Sequence, residues 1–86
     1  MDIIKVSARS VPKAVAGAIC AVIRTGESAE VQAVGAGAVN QAIKAAAIAR
    51  VFMSEEQVDA VCIPSFEELD VGGEQKTGIR LIVEKR

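Results

Sequence analysis

The sequence predicts an α/β two-layer sandwich of order βαβαββ, a mixed four-stranded sheet with two helices on one face, and three observations carry that prediction. Four stretches rich in β-branched residues read as strands: "DIIKVSA", "AEVQAVG", "VDAVCIPSFEELDV" and "TGIRLIVEK". Two helix-length apolar runs, Pro12 to about Thr25 and Ala38 to Met53, separate the first three of these stretches. The last two are joined by "GGEQK", which is too short for a helix and suits a hairpin. Strands and helices in that order bury one sheet face under one helical layer. At 86 residues the chain is expected to be a single domain, 1–86, because cores divide only above roughly 200 residues.

Each element has a local reason. In the first strand Ile4 and Val6 alternate with Lys5 and Ser7. Ser10 offers an N-cap hydroxyl ahead of Val11-Pro12, and proline suits a first helical turn, where its missing amide would have no partner anyway. Gly26 is placed to close that helix as a left-handed C-cap. From Ala14 to Ile23 the helix is apolar on every side, so it requires cover on more than one face, and in so short a chain a second subunit is the expected cover. At about 100° per residue the second helix gathers Asn40, Gln41 and Lys44 into one polar arc and leaves a broad Ala/Ile/Val surface. Pro64 cannot donate to a ladder, which predicts an edge position or a bulge for the third strand. Gly72 and Gly73 can take positive φ in the hairpin turn, and the fourth strand puts Ile79, Leu81 and Val83 on one face and Arg80, Ile82 and Glu84 on the other.

Composition removes several function classes. Apolar residues make up 51% of the chain, yet Phe52 and Phe66 are its only aromatics, and His, Trp and Tyr are absent. The core must therefore come from small side chains at close approach. Without His, and with Cys20 and Cys62 far apart in sequence, neither a zinc spacing nor a thiol–imidazole pair can be assembled, and the commonest acid–base group is missing. The expectation is a protein that is not an enzyme, holds no metal and needs no cofactor, with free thiols in a reducing compartment. The longest charge-free apolar run, Ala14 to Ile23, is about half the ~20 residues of a membrane span, and "MDIIKVSARS" has no leader-like apolar core. A cytoplasmic location away from membranes is expected.

Net charge is −1, but it is segregated. Residues 1–50 carry six basic and three acidic groups; residues 51–75 carry seven acids and no base; residues 76–86 carry four bases and one acid. Within the acidic stretch, strand spacing puts Glu68 and Asp70 on one face and Glu67 on the other, which describes a solvated hairpin shoulder better than a ligating cluster.

The stretch "VQAVGAGAVNQAIKAAAIARVF" resembles a dinucleotide fingerprint only superficially. Its third glycine position is Asn40, Glu55 falls in a loop rather than at a strand end, and no G-K-[ST] follows. Gly35 and Gly37 permit a tight turn that lets an Ala-rich helix approach the sheet, and the amides from Gly35 to Asn40 remain able to receive an anion or a backbone phosphate. Arg9 and Lys13 flank the start of the first helix, where basic side chains and amides can face the same phosphate, and Lys76 is placed near the tip of the hairpin. Doubled in a dimer, these groups would give salt-sensitive binding of DNA or RNA backbone without base readout. The candidate nucleic-acid contacts are thus Arg9, Lys13, Gly35, Gly37, Asn40 and Lys76. The alternative is an oligomeric interaction module whose acidic segment, Glu67 to Glu74, meets a basic partner or another copy of the chain. A small anion at Gly35 to Val39 is a third reading.

Four segments, "KVSARSVPKAVAGAI", "EVQAVGAGAVNQAIKAAAIAR", "CIPSF" and "GIRLIVEKR", resemble the stage V sporulation protein S family over nearly the whole chain. That family is similar to the Alba chromatin and RNA-binding proteins, whose element order is the one read above. The resemblance implies a cytoplasmic, dimeric, nucleic-acid-binding regulator associated with spore development. It also implies basic contacts in the loop before the first helix, the turn after the second strand and the final hairpin. Here the first loop keeps Arg9 but has Ala8 in place of a second lysine, Gly35-Ala36-Gly37 stands where the Alba proteins have arginines, and the hairpin offers Lys76 beside Glu74.

Overall fold

The computed structural model describes residues 3–86. Its elements are β1 (Ile4–Val6), α1 (Pro12–Arg24), β2 (Ala29–Ala33), α2 (Ala36–Glu55), β3 (Ala60–Val71) and β4 (Glu74–Lys85), the predicted βαβαββ order. The strands lie in the order β1-β2-β4-β3, with β1 parallel to β2 and β4 antiparallel to both of its neighbours, so the sheet is mixed. Paired residues share a face. Val6, Ala33 and Ile79 are thereby aligned, as are Val31 and Leu81, and this is the face the helices cover.

The core is built as the composition requires. Ile19, Met53 and Leu81 are its largest fully buried side chains, and five alanines of α2, namely Ala38, Ala42, Ala45, Ala46 and Ala49, are buried against them. With methyl groups at the contact, α1 and α2 come close enough for the Cys20 thiol to reach the Ala49 carbonyl at 3.8 Å. The helices run parallel to each other. Gln41 bonds the Ser10 carbonyl near their starts, Cys20 meets Ala49 midway, and Arg24 pairs with Glu56 at their ends. The outward side of α1 shows Ala14, Gly17, Ala18 and Ala21 to solvent, side chains small enough that their exposure costs little.

Two local readings change and a third is narrowed to one of its alternatives. Val11, not Ser10, is the N-cap of α1, and no side chain caps it; the Ser10 hydroxyl instead accepts from the Ser7 amide at 2.9 Å, because the chain turns back on itself before the helix starts. The second helix begins at Ala36, so Gly37 is helical, and only Gly35 takes the positive φ of 93° that the turn needs. β3 continues through Pro64 without a bulge, since it is an edge strand and its far side requires no ladder donor.

β3 and β4 pair from Ala60–Lys85 to Val71–Glu74, but β4 meets β2 only from Ile79 to Val83. The hairpin therefore runs past the end of β2 as a two-stranded arm of about 17 Å, five residues at strand rise, in a molecule 43 Å long. Gly72 and Gly73, at φ 59° and 84°, close it in a two-residue turn.

Candidate nucleic-acid interface

Because α1 and α2 are parallel and each follows a parallel strand, both helices start at the same end of the molecule, the end where β1 and β2 finish. The loop between β1 and α1 is held at that end by its own serines. Ser7 donates its amide to the Ser10 hydroxyl, Arg9 donates its amide to the Ser7 hydroxyl at 3.2 Å, and the Ser10 amide bonds the Ser7 carbonyl at 3.1 Å. Two contacts then fix the loop on α2. The Gln41 side-chain amide donates to the Ser10 carbonyl at 2.9 Å, and Gly37 lies so close to Ala8 that a Cβ on Gly37 would sit 2.9 Å from the Ala8 methyl.

This arrangement leaves Arg9 exposed at the loop and Lys13 exposed in the first turn of α1, and neither has an ion-pair partner among the described residues. Neither helix has a side-chain cap. In α2 the first intrahelical bond is donated by Val39 to Gly35 at 3.0 Å, so the amides of Ala36, Gly37 and Ala38 have no intrahelical acceptor. Two parallel helix dipoles add partial positive charge at the same end. Asn40 is exposed one turn into α2, with Lys44 exposed one turn beyond it. Five of the six sequence-predicted residues, Arg9, Lys13, Gly35, Gly37 and Asn40, are thus brought to one end.

Lys76 projects from the same end but stands apart from these five. It stands on the arm, cross-strand from Leu69, and the arm carries Glu67, Glu68, Asp70 and Glu74 against this one base. Strand alternation separates the acids as expected: Glu68 and Asp70 share a face, Glu68 accepting from the Thr77 hydroxyl at 2.7 Å and Asp70 from the Gly73 amide at 3.1 Å. Glu67 points to the opposite face, where Gln32 donates to one of its oxygens at 3.3 Å.

At the other end of the molecule three arginines are paired with carboxylates. Arg24 donates from Nε and Nη2 to both oxygens of Glu56, which holds that carboxyl below its ordinary range. Asp59 takes Arg50 at 3.4 Å and Arg86 at 3.3 Å. An open cleft of about 610 Å³ between α2 and the start of β3 is lined by the Arg50–Asp59 pair, by Glu55 and by Val51 and Val58. Burial raises the pKa of both thiols, Cys20 and Cys62, which leaves them protonated and poorly reactive.

Sequence reasoning had found Arg9 and Lys13 but not the residues that aim them. Ser7, Ala8, Ser10 and Gln41 set the loop's position, and of these only Ser10, as a cap candidate, and Gln41, a polar residue in an apolar helix, carry a sequence signal. Among the described residues no helix is long and apolar enough to cross a membrane. The family model for stage V sporulation protein S matches residues 2–86.

Proposed function

This chain belongs to the stage V sporulation protein S family, a sporulation-related group, and from that premise we propose that it is a cytoplasmic, non-enzymatic regulator that binds DNA or RNA through the phosphate backbone as a dimer. The observation that carries this reading is the convergence of Arg9 and Lys13, both without acidic partners among the described residues, with two parallel uncapped helix starts. Backbone amides, dipoles and two cations at one end suit phosphate oxygens, and none of these groups selects a base. The dimer is supported by an apolar stripe on the outer side of α2, where Ile43 and Val51 are 47% and 59% exposed on either side of Ala47.

The test is a salt titration of nucleic-acid binding with Arg9→Ala/Lys13→Ala beside Lys76→Ala. The double variant loses two phosphate contacts per subunit, so the slope of log K against log salt on duplex flattens by about 1.8 for each engaged subunit, whereas Lys76→Ala changes little. Equal affinity and slope in the double variant and the unmodified protein sink the reading. The acidic arm favours a second reading, a protein-interaction module with a basic partner. Self-association or partner capture that persists after nuclease treatment and weakens with salt would select it.

A further inference from the structure

We propose that Phe66 is a stacking platform for an unpaired base, and that the nucleic acid taken by this protein is accordingly single-stranded. The inference rests on the backbone-binding reading and names the strand form to which it applies. Of the two aromatic side chains, Phe52 is half-buried against the core, whereas Phe66 is 81% exposed, the most exposed large apolar group described. Register places it on the helix-bearing face: Phe66 pairs with Ile79, and Ile79 with Ala33, at the end of β2. Two strand spacings, about 10 Å, separate the ring's position from Ala33, and α2 starts three residues after Ala33. The ring therefore stands at the same end of the molecule as the helix starts, Arg9 and Lys13, on the sheet edge opposite β1. Beside it, Pro64, Ser65 and Ile79 complete a shallow, mostly apolar dimple of about 250 Å³.

The acids of the arm sharpen the choice of strand form. Glu68 and Asp70 share the ring's face farther out, and the arm as a whole carries four acids and one base. A duplex laid across the helix starts brings a second, rigid row of phosphates toward that arm and is repelled by it. A single strand can turn its phosphates to the helix starts and one base to Phe66, and every base has a face that stacks on an aromatic ring.

The test uses the full chain with Phe66→Ala, Phe66→Leu and Phe66→Tyr. Fluorescence anisotropy is read on a labelled single-stranded DNA, an RNA of the same sequence and the corresponding DNA duplex, with molecular mass followed by light scattering. The unmodified protein should bind the single strands more tightly than the duplex. Loss of the ring in the Ala and Leu variants should weaken single-strand binding about 5- to 150-fold, leave duplex binding unchanged and leave the mass unchanged, while the Tyr variant retains affinity. A loss confined to the RNA or to the DNA identifies which strand uses the ring. Single-strand affinity that survives in the Ala or Leu variant overturns the proposal and leaves backbone binding standing. A drop in mass in the Ala variant also overturns it, because the ring then covers a second protein copy. If the unmodified protein binds none of the three, the backbone reading fails and this inference with it.

Discussion

Replacing Gly37 with alanine adds one methyl group at the contact that seats the Arg9 loop on α2. The new Cβ would lie 2.9 Å from the Ala8 methyl and 3.7 Å from its Cα. Carbon atoms prefer about 3.5–4.0 Å, so loop and helix must separate by roughly 0.6–1.1 Å, and neither side of the contact is a flexible side-chain end. Two terms oppose each other. Alanine in place of a helical glycine gains about 0.5–1 kcal/mol, less in a first turn, while overpacking costs typically ~1–3 kcal/mol. The expected net loss is about 1 kcal/mol, which for a domain of this size lowers Tm by roughly 4–8 °C. Urea unfolding followed by circular dichroism measures it, with an unchanged m-value showing that two-state behaviour is kept. Ala8→Gly in the same chain removes the opposing methyl, so the double variant should recover most of the loss, a coupling of about 0.5–3 kcal/mol. Gly37→Ala that stabilises the protein, together with additivity between the two sites, would show that close approach is not why glycine stands there.

Two further outcomes follow from contacts elsewhere. At Gly78, where the arm leaves the sheet, a Cβ would meet the Ala33 carbonyl oxygen and Val34 Cγ2 at 3.0 Å and Leu69 Cδ1 at 3.1 Å; Gly78→Ala should destabilise by ~1–3 kcal/mol in the same urea assay, and an unchanged midpoint would refute it. The Glu56 carboxyl is held below its ordinary range by Arg24, so its stabilisation is complete above the unfolded value of ~4.3 and is lost as pH falls through the lower folded value. Arg24→Gln should therefore flatten the loss of stability on acidification below that range. Because both partners are nearly half exposed, the effect is small, and identical pH profiles for the two proteins would refute it.

Much of the fold was legible because its strands and helices differ in period and its turns carry glycine where φ must be positive. Pro64 announced an edge strand, and Gly72-Gly73 a tight hairpin. The failures were local competitions. Ser10 has the chemistry of an N-cap, but its hydroxyl is taken by the Ser7 amide, three residues back, and Val11 occupies the cap. Gly37 looked like half of a turn because glycine signals conformational freedom, yet here its requirement is steric and involves Ala8, a residue 29 positions earlier that nothing in the local sequence marks. For the same reason the sequence grouped Lys76 with Arg9 and Lys13: charge type is visible in a string of residues, whereas the length of the arm that carries Lys76 away depends on where β2 stops pairing with β4.

The pairing of charges explains how a chain with a net charge of −1 can present a cationic patch at its helix starts. The acidic middle of the sequence divides in space. Glu56 and Asp59, at the far end, are met by Arg24, Arg50 and Arg86, and on the open sheet face Glu30 is met by Arg80 at 3.2 Å. Four arginines are thereby used internally, and Arg9 is the one arginine that has no carboxylate partner among the described residues. Three carboxylates of the arm, by contrast, take neutral donors, a threonine hydroxyl, a glycine amide and a glutamine amide, and none of the arm's four is met by a cation among the described residues. Positive helix starts and a negative arm consequently project from the same end. A ligand with one row of phosphates can satisfy the first and avoid the second, and this local opposition of charge, rather than the overall balance, governs what that end of the molecule accepts.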